Sequence, residues 1–462
     1  MTHGPNRRDF IKQTTLAGIG AWVAGSSTAA WADDKSPNER LRIACIGVGG
    51  KGSSDTTQAG HYGDIVALCD IDDNRLGGMS KNFPKAEKFN DFRKMLDKLN
   101  KSIDAVVVST PDHTHAAASM MAMKMGKHVY CQKPLTYSVH EARAMRETAA
   151  KHKVATQMGN QGTALNGLRS AVEIIRSGAI GQVKTVHVWT DRCGGFWRQA
   201  PDLVARPTDT PPVPKHVHWD LFLGPAPERP YSPLYHPFAW RGWRDFGTGA
   251  LGDMACHVAN MAFMALKLGY PTSIVAESSE VNPETYQQWA TVHYQFPARG
   301  DMAPVELVWW EGMKGGNGKR GSGEKNLPPI ELLQGEKMTS NGSLFIGEKG
   351  TMFCPDPYGA SVVLLPRKDF EGYKAPEPTL PRHAEGNSDD NQKKEWVAAC
   401  KGGPAALSNF EYAGMLTEAM LLGNVAIQAG KKIEWDGPGM KIPNAPEAEK
   451  FLGREYRSGW TL

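Results

Sequence analysis

The sequence contains little cysteine, and its cysteines lack the spacing of a metal site or a disulfide framework. There are seven in 462 residues, and none stands in a C-x-x-C motif. Because structural zinc sites and disulfide-rich scaffolds need cysteines at short repeated spacings, neither class is expected. Cys45, Cys69 and Cys131 lie in or beside apolar runs, where a buried, small hydrophobic side chain is the expected role.

The sequence also lacks a strong excess of either charge and a long apolar run in its interior. It has 53 Lys and Arg against 49 Asp and Glu, a net charge of +4. Without a basic face or a nucleic-acid motif, no nucleic-acid partner is expected. Beyond residue 30, no apolar run approaches the ~20 residues that span a bilayer.

The N terminus has the pattern of a twin-arginine export signal. Arg7 and Arg8 precede an apolar stretch over residues 14–30, and Ala30-Trp31-Ala32 is a small-x-small cleavage site. We expect residues 1–32 to be a signal peptide, the twin-arginine export machinery to be a partner, and the protein to act in the periplasm or elsewhere outside the cytoplasm. The alternative is that residues 14–30 remain as an uncleaved anchor.

The rest of the chain is too long for one hydrophobic core, since domains usually have ~100–200 residues. Over residues 40–158, short β-rich runs alternate with helical segments, as in βαβ units. We predict an α/β Rossmann domain there, with a parallel doubly wound sheet. For residues 159–462 we predict an α+β domain with a large, mainly antiparallel sheet, serving substrate binding and oligomerisation.

Several elements are predicted individually. The N-terminal strands are expected at Leu41–Ile46, Ile65–Cys69, Ala105–Ser109, His128–Cys131 and Val154–Gln157. In the second domain a single helix is expected over Ala250–Leu268 and a long one over Phe410–Ala429, while Gly312–Asn326 and Pro366–Asp390 are expected to be surface loops.

A glycine-rich turn follows the first predicted strand and fits G-x-G-x-x-G. In this fingerprint the first glycine permits a tight turn, the second lets the backbone approach a pyrophosphate, and the third allows close helix–strand packing. The candidate cofactor-binding glycines are Gly47, Gly49, Gly50 and Gly52.

An acidic residue at the end of the second strand completes the dinucleotide pattern. Asp70 comes 18 residues after Gly52, where a carboxylate accepts hydrogen bonds from the adenosine ribose. Its charge would repel a 2′-phosphate, although Arg75 nearby could soften that discrimination. The sequence therefore predicts NAD as the cofactor, tightly bound, with NADP as the alternative.

A turn after the next buried strand is expected beside the cofactor, because ligands bind at the carboxyl ends of parallel strands. It contributes Thr110, Pro111 and His115 as candidate cofactor contacts. His113 and His115 could serve as metal ligands by composition, but no supporting cluster is visible, so no metal site is predicted.

The run Gln132-Lys133-Pro134, directly after the strand predicted at His128–Cys131, resembles the Glu-Lys-Pro hallmark of the Gfo/Idh/MocA oxidoreductases. That family's preceding motifs are matched by Thr110-Pro111 with His115 and by residues 125–129, and the resemblance extends from Leu41 to about Trp435. It implies a cis peptide before Pro134, a catalytic Lys133 that contacts substrate and nicotinamide, and Gln132 beside the cofactor. The sequence departs from the family at Gln132, whose amide keeps hydrogen bonding but lacks the usual glutamate charge.

A second segment, residues 247–257, resembles the family's Gly-x-x-x-Asp-x-x-x-His pattern. Asp253 and His257 are four residues apart, so a helix places both side chains on one face. His257 is suited to accept a hydroxyl proton near neutral pH, and Asp253 to orient it or bind a neighbouring hydroxyl. Together with Lys133 they form the predicted catalytic group, and all three are also predicted to contact substrate.

Two further residues are predicted to bind substrate. Asn160 lies at the domain crossover and is also a candidate cofactor contact, and Arg241 lies beside Trp240 and Trp243. Amides, an arginine and aromatic faces suit a polyol, whose C–H surfaces pack on rings while polar groups bind its hydroxyls.

Taken together, the motifs predict an exported NAD(P)-dependent oxidoreductase. It would transfer hydride between nicotinamide and a secondary hydroxyl of a sugar, inositol or glycan-derived substrate. One alternative is a redox-neutral glycoside lyase, hydrolase or epimerase that works through a transient keto sugar, and another is a catalytically silent sugar-binding protein. The resemblance also implies a homo-oligomer.

Overall fold

A computed structural model describes residues 40–192, 205–315, 322–384 and 386–462. The signal peptide predicted over residues 1–32 lies outside the described residues and stays a prediction. The described residues form two sheets, one of six strands and one of nine.

The six-stranded sheet is parallel throughout, with strand order β3-β2-β1-β4-β5-β6. Its strands are β1 (Leu41–Ile46), β2 (Gly63–Cys69), β3 (Glu87–Phe89), β4 (Ala105–Val108), β5 (His128–Cys131) and β6 (Thr156–Met158). The predicted Rossmann sheet is confirmed. Only β3 had no counterpart in the prediction, because a three-residue strand with two charged side chains has no hydrophobic periodicity to reveal it.

Helices cover both faces of this sheet. They are α1 (Lys51–Tyr62), α2 (Asp73–Ser80), α3 (Phe92–Leu99), α4 (Asp112–Lys124) and α5 (Val139–His152). Ile43 and Cys45 of β1 face one buried cluster, and Ala44 and Ile46 face the other. Burial on both sides explains why the strands are nearly continuous hydrophobic runs.

The nine-stranded sheet has the order β14-β13-β12-β7-β10-β9-β8-β15, with β11 paired to β10. Its strands are β7 (Val183–Thr190), β8 (Ser273–Ser278), β9 (Trp289–Phe296), β10 (Val305–Lys314), β11 (Glu324–Lys325), β12 (Asn341–Gly347), β13 (Thr351–Cys354), β14 (Val363–Leu365) and β15 (Ile433–Glu434). The β7–β10 pair is parallel and the others are antiparallel, so the predicted mainly antiparallel sheet is confirmed.

The described part of the chain after β6 contributes six more α-helices. They are α6 (Asn166–Arg176), α7 (Trp219–Leu223), α8 (Gly249–Val258), α9 (Asn260–Ala265), α10 (Ser388–Cys400) and α11 (Phe410–Ala429). The single helix predicted over Ala250–Leu268 is thus two, and β10 and β11 extend into the loop predicted over Gly312–Asn326. Over the described residues, no helix is both long and apolar enough to cross a membrane.

Helix α10 belongs by sequence to the second half of the chain but packs on the first sheet. Trp396 and Val397 join the buried cluster formed by Ile43, Cys45 and Tyr130. This placement brings α10 against α1, directly behind the glycine-rich turn.

Candidate active site

A pocket opens at the carboxyl ends of β1, β2, β4 and β5. The glycine-rich turn and Asp70 line one part of it, and Lys133 and Asp253 line another. Leu221, Phe222 and the segment 236–241 close it from the second half of the chain. The strand-end turns and the α8 helix therefore meet in one cavity.

The glycine-rich turn fits a dinucleotide phosphate. Gly47 has φ +76°, and a Cβ on Gly52 would lie 1.7 Å from the Gly47 carbonyl oxygen, so both positions require glycine. Gly50 has no atom within 4 Å of a Cβ position and precedes the N terminus of α1, which has no side-chain cap hydrogen bond. A helix N terminus open at a glycine turn is a ready site for a phosphate.

Asp70 is fixed beside this turn by backbone amides. Its Oδ2 accepts hydrogen bonds from the amides of Val48 (2.8 Å) and Gly49 (3.1 Å), and its Oδ1 accepts one from Asp72 (2.9 Å). Burial raises its pKa although these amides oppose the shift. The Arg75 side chain lies against the Cα of Gly49 at the same end of the pocket. The carboxylate thus stands at the end of β2 where a ribose would bind.

Some residues after β4 line the pocket, and others are buried beneath it. Thr110 and Pro111 line the pocket, whereas His115 is buried beneath it. The His115 ring nitrogens lie 2.8 Å from the carbonyl oxygens of Pro134 and Thr110. His115 therefore ties this turn to the Lys133-Pro134 segment rather than lining the cofactor pocket.

Lys133 and Asp253 form an ion pair in the pocket. Lys133 Nζ lies 2.8 Å from Asp253 Oδ1 and 3.3 Å from the Asp253 carbonyl oxygen, and the peptide before Pro134 is cis. Burial alone would raise the pKa of Asp253, but the Lys133 and Arg241 cations hold it below its ordinary value. The fold thus pairs two opposite charges that lie 120 positions apart in the sequence.

His257 lies behind this pair, one helical turn beyond Asp253 and outside the pocket lining. It is 4% exposed, and its Nδ1 has no hydrogen-bond partner among the described residues. Burial and the nearby Lys133 lower its pKa well below the usual value, so the imidazole is neutral at neutral pH. A neutral imidazole can accept a proton. Because His257 does not line the pocket, a substrate proton could reach it only through other groups.

The two predicted substrate residues differ in position. Arg241 lines the pocket, with its guanidinium 4.3 Å from the Trp240 ring centroid and 4.5 Å from that of Phe238, and its Nε 3.7 Å from Asp253 Oδ1. Asn160 is fully buried outside the lining and hydrogen-bonds to Ser408 and the Cys256 carbonyl. The structure does not bring Asn160 to the pocket, because the protein itself uses both ends of its amide.

A third carboxyl in the pocket, beside those of Asp70 and Asp253, was absent from the prediction. Asp112 is the first residue of α4, accepts a 2.8 Å hydrogen bond from Thr248 Oγ1 and is 2% exposed. Burial and the Asp253 charge raise its pKa to about 7. Its place directly after Thr110-Pro111 was a usable signal, but its charged neighbour comes from α8 and is visible only in the fold.

The raised pKa of Asp112 implies that folding stability depends on pH. Since the folded carboxyl holds its proton up to about pH 7 and the unfolded one only to about 3.8, folding stability falls as pH rises between these values. Asp112→Asn removes this dependence and keeps an acceptor for Thr248. We expect the melting temperature of the variant, relative to the unsubstituted protein, to be higher at pH 8 than at pH 5. An equal difference at both values would contradict the assignment.

The fold and pocket define a two-domain protein of the dinucleotide-binding Rossmann class. Two family models match it: the oxidoreductase family with an NAD-binding Rossmann fold over residues 41–160, and its C-terminal alpha/beta domain over residues 165–303. Together they span more than half of the chain, which belongs to the Gfo/Idh/MocA family. The predicted family and its NAD-binding domain are confirmed.

Relatives match over limited regions. A glycosyl hydrolase family 109 protein of Solibacter usitatus is 32% identical over 38% of this chain and 44% of its own length. An inositol 2-dehydrogenase of Salmonella paratyphi B is 27% identical over 32% of this chain and 45% of its own length. The chain therefore matches less than half the length of these curated relatives.

The fold extends over nearly the whole of a solved structure. Aldose-aldose oxidoreductase from Caulobacter crescentus, crystallised with glycerol, superimposes with a TM-score of 0.57 and 16% identity, covering 86% of this chain and 99% of that one. At this identity the likeness concerns the fold alone.

Proposed function

We propose that the protein transfers hydride between NAD and a secondary hydroxyl of a sugar, inositol or glycan-derived polyol. The observation that carries this proposal is the Lys133–Asp253 pair, 2.8 Å apart, in the same pocket as the glycine-rich turn. The names of its relatives, an inositol dehydrogenase among them, support this substrate class.

The cofactor fits residues that the chain provides. Gly47, Gly49 and Gly50 with the α1 N terminus would hold the pyrophosphate, and Asp70 the ribose. Bound there, NAD supplies the hydride acceptor or donor.

Oxidation of a hydroxyl also releases the proton on its oxygen. In its neutral form Lys133 Nζ accepts that proton, and Asp253 Oδ1 stabilises the ammonium that results. Asp253 can do so because its low pKa keeps it ionised. In the reverse direction the ammonium returns the proton to the carbonyl oxygen.

Arg241 and its two flanking rings suit a polyol. The ring faces can pack on C–H surfaces, while the guanidinium donates hydrogen bonds to hydroxyls. Since Asp253 Oδ1 lies 3.7 Å from Arg241 Nε, the same carboxylate ties the substrate-binding cation to the catalytic lysine.

We also propose that the chain is exported by the twin-arginine route, retains its cofactor through turnover and works as a homo-oligomer. If free nicotinamide is not resupplied outside the cytoplasm, each hydride removed has to return within the same site. This favours either a second substrate or a redox-neutral reaction, and the Solibacter relative named as a glycosyl hydrolase supports keeping glycoside cleavage as the second candidate.

One purification tests these proposals in turn. Protein recovered from a periplasmic fraction is denatured and the released nucleotide is identified. We expect NAD, and an empty protein that binds NAD weakly would contradict cofactor retention.

The native protein is then mixed with sugars and inositols while the absorbance of reduced nicotinamide is followed. Products formed without a lasting absorbance change, identified by mass spectrometry, would indicate redox-neutral chemistry. Binding without any product would contradict both enzymatic candidates.

A further inference from the structure

Gln132 forms a specific contact with a buried carboxylate on helix α1. Its Nε2 donates a 2.9 Å hydrogen bond to Asp55 Oδ2, and its Oε1 accepts one from the Lys133 backbone amide at 3.2 Å. Ser109 Oγ donates to the same Asp55 oxygen at 2.8 Å. Because Gln132, Ser109 and Lys133 all line the pocket, Asp55 is one hydrogen bond behind it.

The other oxygen of Asp55 pairs with a lysine from the far end of the chain. Lys393 Nζ on α10 lies 2.7 Å from Asp55 Oδ1, and both side chains are fully buried. Lys51, also on α1, approaches the same oxygen at 3.4 Å. Burying two charges costs several kcal/mol per ion, so an apolar pair of similar volume would usually serve stability as well. Stability alone therefore does not explain why the protein buries this ion pair.

Among the groups around Gln132, the nearest negative charge is the carboxylate of Asp55. Burial raises the pKa of Cys45 to about 12 and that of Tyr130 well above its ordinary value, so neither ionises near neutral pH. Asp389 is engaged by Lys51 at 2.8 Å. The titratable or charged groups facing Asp55 are Lys51 from its own helix, Lys393 and Asp389 from α10, Cys45 from β1 and Tyr130 from β5.

We infer that Asp55 is a positioning residue: acting through Gln132, it supplies the buried negative charge behind Lys133 that a glutamate at position 132 would otherwise carry. Helix α1 provides the carboxylate, and the turn after strand β5 provides the amide. Lys393 keeps Asp55 ionised and orients its Oδ1, leaving Oδ2 for Gln132 and Ser109. The activity part of this inference depends on the proposed hydride transfer by Lys133.

Exchanging the amide and the carboxylate tests this arrangement. Gln132→Glu puts two carboxylates in contact, which raises the pKa of one of them. Above that pKa both are ionised, and the added negative charge behind Lys133 favours the ammonium. The pH profile of kcat for hydroxyl oxidation should then move to higher pH, on the order of half a unit. Asp55→Asn removes the charge and should move the profile to lower pH. The double variant Asp55→Asn/Gln132→Glu restores one carboxylate and one amide and should return the profile to that of the unsubstituted protein.

A matched control separates position from charge. Thr57→Glu adds the same charge to the exposed side of α1, where the Thr57 hydroxyl donates a hydrogen bond to the Ser53 carbonyl oxygen. It should leave the profile unmoved. If Asp55→Asn does not fold, the profiles of Gln132→Glu and the double variant still test the inference. Equal profiles for those two, or a shift in Thr57→Glu as large as in Gln132→Glu, would overturn it.

A second readout does not depend on turnover. Melting temperatures of the unsubstituted protein, the two single variants Gln132→Glu and Asp55→Asn, and their double variant should show strong non-additivity, with the double variant more stable than Gln132→Glu alone. If no substrate is found but this coupling appears, the proposed function fails while the Asp55–Gln132 contact stands. If turnover is found and neither the profiles nor the melting temperatures are coupled, the function stands and this inference fails.

Discussion

Replacing Lys133 with methionine is expected to abolish turnover while nucleotide binding persists. Methionine has similar length but can neither hold a hydroxyl oxygen by a charged hydrogen bond nor move its proton. Losing a positioned proton-transfer group typically costs 10²–10⁴-fold in rate. Initial rates with saturating substrate, with nucleotide content measured after denaturation, give the two quantities separately.

Lys133→Arg is the matched control for charge. Arginine keeps the ion pair with Asp253, which lies 2.8 Å from Lys133 Nζ, but does not give up its proton in proteins. We expect a folded protein that binds NAD and substrate, with a kcat nearly as low as that of Lys133→Met. Turnover close to normal in either variant would remove Lys133 from proton transfer.

Replacing Gly52 with alanine is expected to have the largest effect on cofactor binding. The added Cβ would lie 1.7 Å from the Gly47 carbonyl oxygen, and a backbone atom cannot move aside as a flexible side chain does. The turn must therefore shift, and a displacement of about 1 Å can cost 10²-fold in rate. We expect the protein to lose its retained nucleotide and to bind added NAD weakly, as measured by calorimetry.

Gly78→Ala provides the control for this substitution. Gly78 lies in α2, and a Cβ there would have no atom within 4 Å. Removing a helical glycine without a clash stabilises by about 0.4–1 kcal/mol, largely through the unfolded state. Nucleotide content should be unchanged in this variant. Similar losses in both variants would show that nucleotide retention depends on general stability rather than on the turn.

The sequence predicts where a residue lies when one short segment sets its position. The glycine-rich turn, Asp70 at the end of β2, and Asp253 and His257 on one helix all follow from local backbone geometry and helical periodicity. The limits appear within the same motifs: His257 shares a helix with Asp253 but lies behind the pocket, because burial of that face depends on what packs against it.

Asn160 shows a different limit. Its residue type and its place at the domain crossover suited a binding role, but Ser408 and the Cys256 carbonyl take its hydrogen bonds. Whether an amide is free for a ligand depends on partners 248 and 96 positions away, and sequence spacing carries no information about them.

Local periodicity and short motifs were enough to predict the Rossmann domain with its NAD fingerprint, the mainly antiparallel second sheet, and Lys133 and Asp253 as candidate site residues. Which charges meet depends on the tertiary structure, because their partners lie far apart in the sequence. Asp112 joins Asp253 across two helices, and Lys393 reaches Asp55 over 338 positions because α10 folds back onto the first sheet. Gln132 departs from the family pattern by lacking a charge. In the fold it donates a hydrogen bond to Asp55, which carries the negative charge instead.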